Sequence, residues 1–148
     1  MTFEEQLRIT LEQDEGVVCS VYQDHLGYPT CGIGHLIIED DREWGMPVGT
    51  PVSPERVTEL FEADIASVIR DCYYLLPDFD DLPEPARVTA ASLMLQLGLP
   101  QYSKFRLHLE ALERGDWDGS ARELRNSRLY EQTPNRTERR AQRLEGIA

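Results

Sequence analysis

Residues 14–36, DEGVVCSVYQDHLGYPTCGIGHL, hold the only concentrated β signal in the chain. The runs VVCSVY and TCGIGHL are rich in β-branched and apolar residues, and QDHLGYP between them carries the Gly and Pro of a turn. Residues 17–36 therefore read as a β-hairpin with room for a third short strand. That reading puts Glu15 before the first strand, Asp24 at the turn, and Thr30 and His35 on the return.

On the N-terminal side, Phe3, Leu7 and Leu11 recur every fourth residue. Residues 3–14 thus read as a short amphipathic helix stopped at Gly16. On the other side, IEDDREWGMPVGTPV has turn residues and charge without periodicity, which predicts a surface loop over 39–52. Helix resumes at Ser53, a good N-cap, with Pro54 at the first helical position and an apolar stripe from Val57 to Cys72. At 1.5 Å per residue this helix, over about residues 53–76, spans roughly 35 Å, enough to join two lobes. Four more helical patterns follow at 84–98, 104–114, 117–129 and 134–144, with Asp116 and Thr133 as caps. The fold class is α+β and mainly helical. One domain over 1–148 comprises a β-containing lobe at about 14–58, a helical lobe of about 1–13 with 70–148, and a cleft between them, the usual place for a ligand.

Composition narrows the function. With 148 residues and 41% hydrophobic content, the chain suits one buried core. Residues 1–100 carry 5 basic and 19 acidic groups, and residues 101–148 carry 10 and 8. Such an acidic chain disfavours nonspecific nucleic-acid binding, which depends on neutralising phosphates. The arginines of RTERRAQR read as a solvated helix face. Acids in MTFEEQLRIT and short apolar runs argue against a signal peptide and against stable membrane insertion, so the expectation is a soluble, unexported monomer. Cys19, Cys31 and Cys72 have no zinc-like or disulfide spacing and read as reduced core thiols.

Two carboxylates flanking a cleft suggest glycoside hydrolysis, which needs one protonated acid and one ionised partner. Glu15 follows a helix whose C-terminal dipole disfavours negative charge, whereas Asp24 at a polar turn should stay ionised. Thr30 offers a hydroxyl across the hairpin, able to hold a water. Taken alone, acids at a helix end and a turn are as readily explained as solvated groups.

The longer string decides the matter. DEG…YQD..GY.T.GIGHL closely resembles the hairpin of the T-even bacteriophage-type lysozymes, glycoside hydrolases also known as phage endolysins. LFEADI, LQLG at 95–98 and SRLYEQTPNR at 127–136 resemble motifs of that family in the same order, so the likeness spans nearly the whole chain. It implies that Glu15 is the general acid, and that Asp24 with Thr30 activates a water on the opposite sugar face, giving an inverting reaction. The implied substrate is peptidoglycan, cut at the β-1,4 bond between N-acetylmuramic acid and N-acetylglucosamine, with no cofactor.

The same resemblance assigns supporting roles. His35 and Asp64 match a buried imidazolium–carboxylate pair, and Arg136 matches an arginine reaching towards Asp14 and Glu15, where its charge would oppose the dipole's effect on Glu15. Gly34, Leu36, Leu95, Gln96 and His108 match positions lining the saccharide cleft. Two of these sites and one further position depart from the family pattern: Leu95 replaces a phenylalanine, and His108 and Glu123 replace a serine and an asparagine. A metal site from Asp24, His25 and His35 lacks ligand spacing. GIG at 32–34 lacks the third glycine of a phosphate loop, so its glycines are expected to let sugar approach the backbone. Trp117 reads as a core anchor.

The functional expectation is an endolysin that waits in the host cytoplasm and depends on a pore-forming protein to reach the periplasmic wall. The alternatives are a virion-associated lysozyme and an inactive peptidoglycan-binding module, the latter disfavoured by the intact Glu15, Asp24 and Thr30.

Overall fold

A computed structural model describes all residues, Met1–Ala148, and shows an α+β chain dominated by helices. It forms two compact units, one made of Arg8–Ser67 and the other of Met1–Leu7 with Val68–Ala148.

Helix α1 (Phe3–Glu15), whose residues from Arg8 onward belong to the unit Arg8–Ser67, ends where Gly16 takes a left-handed φ of 76°. Three strands follow in an antiparallel sheet of order β1-β2-β3: β1 (Val18–Gln23), β2 (Pro29–Gly32) and β3 (His35–Leu36). Tyr22 pairs with Thr30, and Cys31 pairs with His35. An irregularity in β1 between Val18 and Tyr22 shifts the register. Leu11, Val21, Cys31, Ile33, Ile37, Val52, Val57 and Phe61 are buried core residues of this unit.

The segment 39–52 is a surface loop, as expected, and it is anchored to the sheet and to the helix that follows. Ser20 bridges to Pro51, Val21 N donates to Thr50 O at 2.9 Å, and Gly49 N donates to Val21 O at 2.8 Å. Glu43, only 5% exposed, accepts a two-pronged bond from Arg56, 2.9 Å from Nε and 3.0 Å from Nη2. That pair holds the Glu43 carboxyl below its ordinary value and strengthens the Arg56 cation. Periodicity could not show it, because the anchoring runs through backbone bonds and one ion pair instead of an apolar stripe.

Helix α2 (Pro54–Leu75) starts at Ser53, whose Oγ accepts from Arg56 N at 3.1 Å, and its residues belong in part to each unit.

The second unit is helical: α3 (Glu84–Leu97), α4 (Leu99–Tyr102), α5 (Arg106–Glu113), α6 (Trp117–Arg125), α7 (Arg128–Gln132) and α8 (Pro134–Glu145). The expected helix over 117–129 is two helices. Ser127 breaks it, its Oγ donating to Leu124 O at 2.6 Å and accepting from Tyr130 N at 3.4 Å. Asp116 caps α6 by accepting from Gly119 N, whereas Thr133 sits at the cap of α8 but turns its hydroxyl to Leu129 O at 3.2 Å. In the core, Arg140 is 0% exposed, with Nε 2.9 Å from Ser92 Oγ and Nη1 2.6 Å from Gln96 Oε1.

Of the three thiols expected in the core, Cys31 and Cys72 are there, and burial raises them to about 11 and about 12. Cys19 is exposed, because it lies on an outward position of β1.

Candidate functional site

The hairpin unit carries Glu15, Asp24 and Thr30 together. Glu15 is the last residue of α1, and its Oε1 is enclosed by protein. Gly34 crosses directly against it. A Cβ placed on Gly34 would lie 3.0 Å from Glu15 Cγ and 3.1 Å from Oε2, and Gly34 itself has φ +61°. Its lack of a side chain therefore makes room for Glu15, a role nearer to hand than the sugar approach expected of the GIG glycines.

Asp24 opens the turn between β1 and β2. Its Oδ1 accepts from Leu26 N and from Tyr28 N, both at 2.9 Å. Its backbone N–H donates to Tyr28 O at 2.9 Å, and Gly27, with φ +85°, closes the turn by donating to Asp24 O at 2.9 Å. Thr30, at 5% exposure, donates its hydroxyl proton to Tyr28 O at 2.9 Å. The hydroxyl proton being committed, Thr30 Oγ1 meets any further partner through its lone pairs.

His35 is clamped on both nitrogens. Nδ1 lies 2.8 Å from Asp64 Oδ2 and Nε2 lies 2.7 Å from Asp41 Oδ2. Burial pulls the imidazole pKa down, but the bonds to the two carboxylates and their charges prevail and raise it above 6.5. Asp41 also accepts from Ile38 N at 2.9 Å; burial opposes its ionisation, yet that N–H and the imidazolium together leave its carboxyl below 3.8. Sequence reasoning named Asp64 and missed Asp41. The spacing of Asp41 three residues beyond Ile38 accounts for its bond to that backbone N–H but carries no signal for its contact with His35. With both ring nitrogens held by carboxylates, His35 has no lone pair to offer a metal, and no group of three or more His, Cys, Asp or Glu is arranged to hold one.

The other residues singled out are placed as follows. Asp14 is buried beside Glu15 in sequence, and Leu36 is 51% exposed. Leu95, Gln96, His108 and Arg136 belong to the helical unit. Leu95, Gln96 and Arg136 are half-buried, and Gln96 also places Nε2 3.4 Å from Thr133 Oγ1. His108 does not have the exposed ring that saccharide contact requires. At 1% exposure, it sets Nε2 2.8 Å from the Tyr102 hydroxyl and Nδ1 2.8 Å from Ser120 Oγ, and burial lowers its pKa to about 4. It is a neutral core bridge, a role decided by Ser120 twelve residues away, which no local pattern reveals. Trp117 is half-buried at the start of α6.

The helical unit also holds an open pocket of about 570 Å³, with Phe105, Leu107 and Leu129 on its apolar lining and Lys104, Arg106 and Arg128 as cations.

Residues 12–143 match the family described as Phage lysozyme. The chain is 31% identical over 147 residues to the pre-baseplate central spike protein Gp5 of Enterobacteria phage T4, covering 87% of this chain and 26% of that protein. It is 30% identical over 152 residues to the probable T4-type lysozyme 2 of Dictyostelium discoideum, covering 90% of this chain and 89% of that one. It is 26% identical over 131 residues to the peptidoglycan hydrolase gp36 of Pseudomonas phage phiKMV, covering 88% of this chain and 14% of that protein. It thus spans about a quarter of the spike protein and most of the Dictyostelium protein. The match over most of its length, together with the hairpin that carries Glu15, Asp24 and Thr30, makes this chain a member of the phage lysozyme family.

Proposed function

We propose that the whole 148-residue chain acts as one lysozyme domain, a muramidase that hydrolyses the β-1,4 bond between N-acetylmuramic acid and N-acetylglucosamine in peptidoglycan with inversion. The observation that carries this reading is the pair of acceptors built around the β1–β2 turn. Asp24 Oδ1 is held by two N–H groups, and the Thr30 hydroxyl donates its one hydrogen bond to Tyr28 O. A water that donates one proton to Asp24 Oδ2 and the other to Thr30 Oγ1 turns a lone pair outward for attack. Glu15 gives its proton to the departing glycosidic oxygen as that bond breaks. The water oxygen bonds to the anomeric carbon, and its proton passes to Asp24.

The substrate is supported by membership in the family and by the peptidoglycan hydrolase among the relatives. Gly34, Leu36, Leu95 and Gln96 are proposed to contact the glycan, with Asp14, His35, Asp64 and Arg136 supporting the site. Host lysis is the proposed setting, with the enzyme held in the cytoplasm until a pore-forming protein opens the way to the wall. No helix is long and apolar enough to cross a membrane. The likeness to a central spike protein favours a second setting, a lysozyme borne on the virion.

The test is clearing of permeabilised Gram-negative cells with analysis of reducing ends and anomeric configuration in the products. Wild type should release N-acetylmuramic acid reducing ends with inverted configuration. Glu15→Gln and Asp24→Asn should each lower the rate by about 100-fold or more while melting near wild type. Wild-type-like turnover in Glu15→Gln refutes the assignment.

A further inference from the structure

We propose that the main chain of Tyr28 is the positioning element of the hydrolytic site, one residue that orients Asp24 through its N–H and Thr30 through its carbonyl. The inference rests on the muramidase reading and adds a residue to it.

The bonds form a closed set. Tyr28 N donates to Asp24 Oδ1, while Tyr28 O accepts both Asp24 N–H and the Thr30 hydroxyl, each at 2.9 Å. A carbonyl oxygen has two lone pairs, and both are used here. The hydroxyl rotor of Thr30 is thereby fixed, and its free lone pairs take a direction set by the same residue that fixes the carboxylate. The two proposed water acceptors belong to one rigid turn and move together.

Local sequence explains the rigidity. Pro29 follows Tyr28, and a residue before proline is confined to extended conformations, which limits where the Tyr28 carbonyl can point. Pro29 also pairs with Gln23 at the end of β1. Gly27 supplies the left-handed conformation that brings Tyr28 back over Asp24. The Tyr28 side chain is exposed and enters none of these bonds. Positioning is therefore a property of the peptide groups, and the ring is free to differ.

The test replaces Tyr28 with its α-hydroxy analogue, p-hydroxyphenyl-lactate, through nonsense suppression in the full chain. This exchanges one N–H for an oxygen and keeps the ring. Losing a donor to a carboxylate disfavours its charged form, so the acidic limb of the kcat profile should move up by about one pH unit. At neutral pH kcat should fall about tenfold, with KM within twofold of wild type. Tyr28→Ala keeps the peptide and should leave the limb in place. Gly27→Ala serves as a second variant. Its added methyl meets no atom within 4 Å, so it acts only by straining φ +85°, and it should move the limb in the same direction by less.

An unmoved limb in both the ester and Gly27→Ala overturns the proposal, as does a limb that shifts equally in Tyr28→Ala. A lowered melting temperature with an unmoved limb also overturns it, since that is the mark of a merely structural bond. Wild type that releases no reducing ends would instead refute the muramidase reading itself, which separates the two failures.

Discussion

Gly34 lies so close to Glu15 that a methyl group on its Cα would stand 3.0 Å from Glu15 Cγ and 3.1 Å from Oε2. Gly34→Ala must therefore displace the carboxylate and also accept φ +61°. The strain should cost about 1–2 kcal/mol of stability. Displacement of the proposed acid should cost activity about tenfold or more. Calorimetry and lysis rates measured together check this, and unchanged lysis with lowered stability would show that Glu15 tolerates the shift.

The His35 clamp predicts a pH window for stability. His35 has a raised folded pKa, so its contribution is complete below about 6.5, the unfolded value, and is lost as pH rises through the raised one. Asp41 has a lowered folded pKa, so its contribution is complete above about 3.8 and is lost as pH falls through the lowered one. Between those values the clamp is fully formed. His35→Asn should cost on the order of 2 kcal/mol near pH 5, and less as pH climbs through the raised value. Melting curves of wild type and variant across pH measure the difference, which a neutral clamp would leave flat.

Glu43 and Arg56 should prove costly to separate. Glu43→Gln keeps the shape of the acid but leaves the Arg56 guanidinium, its side chain 17% exposed, facing a neutral amide. A loss of about 2 kcal/mol is expected from a broken charged hydrogen-bond pair, because Glu59 Oε2, 3.2 Å from Nη1, still faces the cation. Amide exchange should accelerate first over 39–52, which the pair helps the backbone bonds to anchor. Uniform acceleration through the hairpin unit would show that the segment opens only with the whole.

How much of this was legible follows from where each signal lies. The hairpin and the helix starting at Ser53 were open to reading because β-branched runs, turn residues and an apolar stripe are local. The restart at Ser127 was also written locally, as a capping residue inside RNSRLYEQ, and the longer stripe masked it. The burial of His108 and the second carboxylate on His35 were not legible. Each depends on a partner brought in by the fold, Ser120 from α6 and Asp41 from a stretch without periodicity.

Charge predicts an unusual response to salt. Residues 1–100, with 19 acids against 5 bases, should repel an anionic wall. Screening shortens that repulsion from about 10 Å at 0.1 M to about 3 Å at 1 M, while close contacts survive. Lysis should therefore rise with sodium chloride before it falls. A monotonic fall would mean that the more basic residues 101–148 govern approach to the wall.

The buried guanidinium of Arg140 limits how the helical core can drift over evolution. It never loses its charge, and its Nε and Nη1 donate to Ser92 Oγ and Gln96 Oε1. Leucine at position 92 would strip Nε of an acceptor at a cost on the order of 2 kcal/mol, and an aliphatic residue at 140 would leave two polar groups without their donor. Three positions separated by up to 48 residues are thus bound to change in concert. Homologues that lose the arginine should have exchanged Ser92 and Gln96 as well, a correlated substitution visible in an alignment and unexplained by any of the three positions alone.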